Sequence, residues 1–180
     1  MLVNSMISKI MDELNDIQYG YLDTDGSNII NDEDRWEKEF YLFYHLQSPE
    51  ELLKTKCGVC WDQVELEREL FSKTNYKFYT YFIYIEDDDM LPSHTFLVYE
   101  DNSKYYWFEH SWGVLRGIHE YLSLEELFKD VSVKFIESHS EVVVDNNLFI
   151  YEYSKPEYGI NCDGFYDFIF SQRKVDIDFN

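Results

Sequence analysis

The chain has 180 residues, 45% of them hydrophobic and 19% aromatic, with a formal net charge of −21. This length and apolar content predict a single globular domain over residues 1–180 with a substantial core. The charge argues against a nucleic-acid-binding protein, because an acidic surface repels phosphates. No apolar run approaches the roughly 20 residues of a membrane-spanning helix, so no membrane association is expected.

The number of cysteines and the distribution of carboxylates indicate the expected compartment and the kind of surface. Three cysteines, an odd number, do not complete a disulfide framework, which favours a reducing cytoplasm. The carboxylates are scattered, with one short run at Glu86-Asp87-Asp88-Asp89. This distribution predicts a solvated acidic surface rather than an imitation of DNA, and it favours basic partners or simple solubility.

The N-terminal third is predicted to contain three helices, each starting at a capping residue. The candidate caps are, in chain order, Asn4 or Ser5, Asp32 or Asp34, and Ser48. Ser48 belongs to a capping box, Ser48-Pro49-Glu50-Glu51, with proline at the first helical position. The first helix should run to about Ile17, and residues 19–31 should form an irregular or hairpin connection.

A fourth helix is predicted from Cys60 to about Asn75, with Gly58 allowing the chain to turn into it. Cys60, Val64 and Phe71 share one narrow stripe, so the thiol should point inward. The opposite face carries Asp62, Glu65 and Glu69. A helix N-terminus favours a thiolate by only about 0.3–1 kcal/mol. A working nucleophile therefore also needs a histidine oriented by a third group.

The second half is predicted to be mostly strands. Residues 76–86 and 148–153 are dense in aromatic and β-branched residues, which is typical of strands. Residues 111–121 should form an irregular return segment. Ser123 begins another capping box and a helix to about Glu137, and a terminal helix is expected over residues 163–171.

His94 and Glu109 fall on two predicted strands that form a hairpin. If Asp101-Asn102 is a two-residue turn, counting back places His94 opposite Glu109. A loop longer by one or two residues would place His110 or Ser111 there instead. A cysteine on a helix, a histidine on a strand and a carboxylate on the next strand form a coherent catalytic set.

Three short signatures resemble those of the transglutaminase-like superfamily, which belongs to the wider papain-like fold. They are Gly58-Val59-Cys60-Trp61-Asp62, His94-Thr95-Phe96 and Trp107-Phe108-Glu109. The resemblance covers roughly residues 48–125 and implies an α+β fold. In that fold the nucleophile helix packs on an antiparallel sheet with additional helices. Glu109 stands where the family usually has aspartate, a shorter carboxylate with a different reach.

The resemblance also implies a reaction. It points to a cysteine-dependent acyl-transfer enzyme that hydrolyses an amide or peptide bond rather than crosslinking. Cys60 would attack the carbonyl, His94 would take and return the proton, and Glu109 would hold the imidazole. The substrate would be a peptide or protein, with basic character favoured by the charge. No metal or organic cofactor is required.

Other interpretations compete with the triad. Taken alone, Cys60 is better explained as a buried structural thiol, and only the ordered His94 and Glu109 signatures reverse that balance. His110 is the strongest competitor for the base, although strand alternation turns it to the face opposite Glu109. Glu67, in the stripe beside Cys60, is either a charge at the stripe's edge or a second carboxylate. An oxyanion hole needs the Cys60 N–H and one further donor, for which the candidates are Gln47, Gln18 and Trp112.

Two other functions stay open. One is a non-catalytic module on the same fold that presents an acidic, aromatic surface to a basic partner. The other is a dithiol redox protein using Cys57-Gly58-Val59-Cys60, although the preceding residues read as a short charged helix rather than a buried strand. A closed zinc site would need a second closely spaced Cys or His pair, which the sequence lacks.

Overall fold

The computed structural model describes residues 3–87 and 91–177, so Asp88 and Asp89 of the acidic run lie outside the described residues. Within these ranges the chain forms six α-helices, eight β-strands and a short 3₁₀ turn at Gly113–Leu115. The helices are α1 (Val3–Leu14), α2 (Glu33–Phe43), α3 (Pro49–Thr55), α4 (Cys60–Ser72), α5 (Leu124–Ser138) and α6 (Cys162–Phe170). The strands are β1 (Tyr21–Leu22), β2 (Asn28–Ile29), β3 (Lys77–Ile85), β4 (Ser93–Asp101), β5 (Lys104–Glu109), β6 (Gly117–Tyr121), β7 (Leu148–Tyr153) and β8 (Arg173–Val175).

Six strands form one antiparallel sheet in the order β6-β5-β4-β3-β7-β8, and β1 pairs with β2 in a separate hairpin. The central strand β3 is buried on both faces, because Phe82 packs with α4 and α6 while Tyr81 and Ile83 pack with α5. Most helices thus cover one face of the sheet and α5 covers the other. The predicted α+β fold, with the Cys60 helix on an antiparallel sheet, is confirmed. No helix in the described ranges has both the length and the apolar character needed to cross a bilayer.

Lys56 and Gly58 each contribute to the turn by which the chain enters the Cys60 helix. The left-handed backbone conformation belongs to Lys56, at φ 54°, and not to Gly58. Gly58 is needed for space, since a Cβ there would lie 2.5 Å from Leu52 Cδ1 and 2.9 Å from Asp62 Cβ. Gly58 thus allows the chain to enter the helix through its small size and not through a left-handed conformation. The Ser48 capping box is present as predicted, with Glu51 Oε2 accepting from the Ser48 N–H at 2.8 Å.

Two short strands were missed. Residues 117–121 were expected to return irregularly but pair with β5 as β6, with His119 level with Trp107. The three residues of β8 pair with the end of β7. Both lie at sheet edges, and only one of their residues, Tyr121, is buried, so neither contains the run of buried apolar residues that marks a strand in sequence.

The hairpin that carries His94 and Glu109 has a different turn from the predicted one. Asp101 pairs with Lys104, and the two turn residues are Asn102 and Ser103, both with positive φ (49° and 63°). Counting back from the Leu97–Phe108 pair places Ser111, not Glu109, level with His94. The predicted register was therefore wrong by two residues. A shift of two keeps every side chain on its face, so His94 and Glu109 still face the same way.

Candidate active site

Cys60 is the first residue of α4 and is 3% exposed. The loop before it is held by a buried carboxylate at the third helical position. Asp62 Oδ2 accepts from the Val59 N–H at 2.9 Å, while its Oδ1 accepts from the Gln47 N–H at 2.8 Å. The Tyr44 hydroxyl also donates to Oδ1, at 3.0 Å. Burial raises the pKa of Asp62 to about 7, against these three donors. Asp62 thus fixes the backbone that presents the thiol.

The backbone on the other side of this loop is held as well. Gln18 and Cys57 form a parallel bridge, in which the Gln18 N–H donates to Lys56 O at 2.9 Å and the Gly58 N–H donates to Gln18 O at 3.0 Å. Gln63 donates from its side chain to Gly58 O at 2.9 Å. The segment before the thiol is therefore tied both to the N-terminal connection and to α4.

His94 lies near the start of β4, 6% exposed, and its ring is bound by Glu109 on the neighbouring strand. His94 Nε2 lies 2.8 Å from Glu109 Oε2. That carboxylate is itself buried and accepts three further hydrogen bonds. They come from the Trp107 indole at 3.1 Å, the Ser111 hydroxyl at 3.1 Å and the Trp112 N–H at 2.7 Å. Four donors thus fix the Glu109 carboxylate, which in turn fixes the imidazole.

The ionised forms of Cys60, His94 and Glu109 stabilise one another. Burial would raise the pKa of Cys60, but a hydrogen bond with His94 and the charge of His94 hold that pKa below its usual range. Burial would lower the pKa of His94, but the charge of Glu109 and hydrogen bonds with Cys60 and Glu109 raise it to about 10. The charge of His94 likewise keeps the pKa of buried Glu109 low. Since Nε2 is bound to Glu109, Nδ1 is the nitrogen left to face the thiol.

A family model described as a transglutaminase-like domain matches residues 6–140. The chain belongs to the transglutaminase-like domain family. The match contains Cys60, His94 and Glu109 and extends beyond the three signatures on both sides. The predicted family is therefore confirmed. No curated protein matches the chain.

In this transglutaminase-like domain the thiol and the imidazole open on a cleft with two arms that meet at Tyr19, Ser93 and His139. One arm, of about 290 Å³, runs past His94 and Trp112. The other, of about 370 Å³, runs past Cys60 and is walled mainly by rings, namely Trp36, Phe40, Tyr41, Trp61 and Tyr166. Among the described residues, no Asp, Glu, Lys or Arg lines either arm. The described lining of the cleft thus has no carboxylate, in a strongly acidic chain.

His110 and Cys57, on which two of the competing interpretations depend, are each in contact with other groups. His110 is fully buried, and its Nδ1 lies 2.6 Å from Gln63 Oε1 on the α4 side of the sheet. Burial and the charge of Arg116 lower the pKa of His110 to about 4, so it is neutral. Cys57 is also buried, with its sulfur 3.7 Å from Tyr21 O. Burial raises the pKa of Cys57 to about 11, which disfavours the thiolate that dithiol exchange requires.

Glu67 is 2% exposed, and its Oε2 has no hydrogen-bond partner in the described part of the chain. Burial and the nearby charge of Glu109 raise the pKa of Glu67 well above its usual range. Its carboxyl is therefore harder to ionise than an exposed one, and it lies buried near Cys60, His94 and Glu109 rather than at a solvated edge of the stripe.

The predicted oxyanion donors are mostly occupied, whereas a residue that the sequence did not single out contacts the thiol. The Gln47 amide donates to Cys57 O at 2.8 Å, the Trp112 N–H is bound to Glu109, and the Gln18 side chain is exposed. The Tyr19 hydroxyl lies 3.9 Å from Cys60 Sγ. The sequence has sixteen tyrosines, and Tyr19 falls in an irregular connection, so no sequence pattern distinguished it.

Proposed function

We propose that this transglutaminase-like domain is a cysteine-dependent acyl-transfer enzyme that hydrolyses an amide or peptide bond. The observation that carries the proposal is the position of His94. It is held by Glu109 through Nε2 at 2.8 Å, and it lowers the pKa of Cys60. Family membership supports cysteine-dependent hydrolase or acyltransferase chemistry, and the site supplies the groups that this chemistry needs.

In the acylation half of the reaction, the Cys60 thiolate attacks the carbonyl carbon. A C–S bond forms while the π electron pair moves onto the carbonyl oxygen. His94, protonated at neutral pH, then gives its proton to the leaving nitrogen. The C–N bond breaks as the electron pair returns to re-form the carbonyl. An amine leaves, and a thioester remains on Cys60.

In the second half, a water oxygen attacks the thioester carbonyl while His94 takes one of the water protons. The C–S bond breaks, the carboxylic acid leaves, and the thiolate–imidazolium pair is restored. Glu109 orients the ring and stabilises its positive charge throughout. An amine in place of water would give acyl transfer between amines by the same steps.

The substrate we propose is a peptide or protein. The ring-walled arm beside Cys60 favours a large apolar side chain near the reacting carbonyl. The net charge of −21 favours basic regions elsewhere on the substrate, because the protein surface attracts them.

We also propose that residues 1–180 act as one domain. The segment beyond the family match supplies β7, which pairs with the central strand β3. It also supplies Phe165, whose ring stacks on Trp61 at 4.2 Å. A truncation after residue 140 should therefore remove part of the layer that supports the nucleophile.

The test is the formation of an acyl-enzyme with an activated ester. Treatment with p-nitrophenyl acetate should add one acetyl group to Cys60, detected by intact-protein mass spectrometry. We expect no such adduct in Cys60→Ala and a rate lower by about 10²–10⁴ in His94→Ala. New amino termini in a peptide mixture, absent with Cys60→Ala, would show hydrolysis.

The matched control is Cys57→Ser, which should acylate normally. If Cys57→Ser is as damaging as Cys60→Ser, the dithiol redox function is correct instead. Acylation that ignores His94 would defeat the proposed enzyme. An unreactive Cys60 together with salt-sensitive capture of a basic protein would favour the non-catalytic module.

A further inference from the structure

An acyl-transfer site needs two hydrogen-bond donors for the oxyanion that forms on the carbonyl. The Cys60 N–H is one, because the first residue of a helix has no intrahelical acceptor for its N–H. Two of the predicted second donors are already bound to other acceptors, namely the side-chain amide of Gln47 and the backbone N–H of Trp112, and the third, Gln18, is an exposed residue.

The Tyr19 hydroxyl is a hydrogen-bond donor that already contacts the thiol. It lies 3.9 Å from Cys60 Sγ, and Tyr19 lines both arms of the cleft. The oxygen of an attacked carbonyl is one bond beyond the carbon that joins the sulfur, so it falls beside Sγ, within the cleft. Although Tyr19 as a residue is 45% exposed, desolvation of its hydroxyl and the neighbouring Cys60 raise the pKa of Tyr19 well above its usual range, so the hydroxyl keeps its proton.

The position of Tyr19 is fixed by the same loop that fixes the nucleophile. The residue before it, Gln18, is hydrogen-bonded on both sides of Cys57, at 2.9 and 3.0 Å. The Tyr19 ring stacks on Trp36, with 5.7 Å between centroids and an interplanar angle of 15°. The hydroxyl is therefore preorganised relative to the thiol, which is what makes an oxyanion donor effective.

We propose that Tyr19 is a catalytic residue that donates its hydroxyl hydrogen to the oxyanion formed when Cys60 attacks a carbonyl. This inference rests on the proposed function. When the sulfur lone pair becomes the C–S bond, the carbonyl π pair moves onto oxygen. That oxygen accepts hydrogen bonds from Tyr19 Oη and from the Cys60 N–H. No proton is transferred to it, and the electron pair returns when the C–N bond breaks.

The variant Tyr19→Phe tests this role, because it keeps the stacked ring and removes only the hydroxyl. The burst of nitrophenolate from p-nitrophenyl acetate should be slower by about 10²–10³, the usual effect of removing one oxyanion donor. Alkylation of Cys60 by iodoacetamide should be retained, because displacement of iodide creates no oxyanion. The matched control is Tyr106→Phe, which removes a hydroxyl bound to Glu120 at 3.0 Å, outside the cleft, and should acylate at the wild-type rate.

The other outcomes have distinct meanings. Normal or faster acylation in Tyr19→Phe would overturn the role of Tyr19 and leave the proposed function standing. Loss of alkylation together with acylation would also overturn it, since Tyr19 would then act on the thiol or on folding. A wild-type protein that forms no acyl-enzyme would overturn both the role of Tyr19 and the proposed function.

Discussion

Replacing Glu109 by glutamine would put an NH₂ group into a buried site that supplies four hydrogen-bond donors. One carboxylate oxygen accepts from His94 and Trp107, and the other accepts from Ser111 and the Trp112 N–H. The amide should turn its NH₂ group toward Ser111, because that hydroxyl can rotate and accept. The Trp112 N–H is then left without an acceptor, which costs about 1–3 kcal/mol.

The same substitution should change the ionisation of the site. Glu109 is the nearby negative charge that raises the pKa of His94 to about 10. Without that charge, the imidazolium is disfavoured, and so is the Cys60 thiolate paired with it. We expect acylation at pH 7 to fall by about 10²–10⁴ in Glu109→Gln.

The pH dependence of the stability difference between wild type and Glu109→Gln follows from the pKa shifts of His94 and Glu109. The raised pKa of His94 stabilises the folded state fully below the unfolded value of about 6.5, and this contribution is lost as the pH rises through about 10. The lowered pKa of Glu109 contributes above its ordinary value and is lost in acid. The difference between wild type and Glu109→Gln should therefore be largest between about pH 5 and 6.5, and part of it should remain at pH 7.

Urea unfolding at pH 7 and the rate of acyl-enzyme formation measure the two effects. The control is Glu100→Gln, on the neighbouring strand, whose carboxylate is partly exposed and bound by Tyr79 and Lys77. It should stay within about 0.5 kcal/mol of wild type and acylate normally. A Glu109→Gln protein with wild-type stability and wild-type acylation would show that Glu109 does not hold His94.

Three further outcomes are expected. Glu67→Gln should raise the free energy of unfolding at pH 7. As the pH rises from the ordinary pKa of Glu67 to its raised value, the free energy of unfolding of the wild type falls by about 1.4 kcal/mol per pH unit. The stability gain of Glu67→Gln should therefore vanish near pH 4. Gly58→Ala should cost about 1–3 kcal/mol in urea unfolding, because the new Cβ meets Leu52 Cδ1 at 2.5 Å. A peptidyl chloromethyl ketone ending in phenylalanine should alkylate Cys60 about tenfold to hundredfold faster than one ending in glutamate, since the adjacent arm is ring-walled and has no Lys or Arg among its described lining residues.

Each of these has a matched comparison. Glu69→Gln, on the exposed side of the same helix, should change stability by less than about 0.5 kcal/mol, and an equal effect in both variants would refute the argument for Glu67. A Cβ at Gly113 meets nothing within 4 Å, so Gly58→Ala as stable as Gly113→Ala would refute the packing argument. Equal alkylation rates for the two ketones would show that the ring-walled arm does not select the substrate.

Local signals in the sequence predicted much of the fold. The Ser48 capping box and the strand Leu148–Tyr153 are present with the predicted residues. Such elements are specified by neighbouring residues, through a side-chain cap or a run of β-formers between turn residues. The edge strand β6 depends instead on pairing with β5, a contact between distant residues that no local pattern encodes.

The polar residues of α4 show a second limit. The helical wheel placed Asp62 and Glu65 on the face opposite Cys60, yet both are fully buried. Glu65 is paired with Arg68 at 2.9 Å, and Asp62 is bound to the backbone around it. A charged residue that is covered by other elements has the same sequence pattern as one in solvent, so its burial could not be predicted.

Part of the candidate site could also be predicted from local patterns in the sequence. The face shared by His94 and Glu109 survived a register error of two residues, because side-chain direction repeats every two residues in a strand. The contact of Tyr19 with Cys60 depends on how residues 18 and 57 pair, and the sequence does not specify that pairing.

The rate of Cys60 alkylation by iodoacetamide as a function of pH tests the central claim most directly. With a thiolate held by protonated His94, the wild-type rate should already be high at pH 7 and stay flat until the pH approaches about 10. In folded His94→Ala the rate should be low at pH 7 and rise only above the ordinary thiol pKa of about 8.5. Superimposable profiles for the two proteins would show that His94 does not activate Cys60, and the proposed chemistry would be wrong.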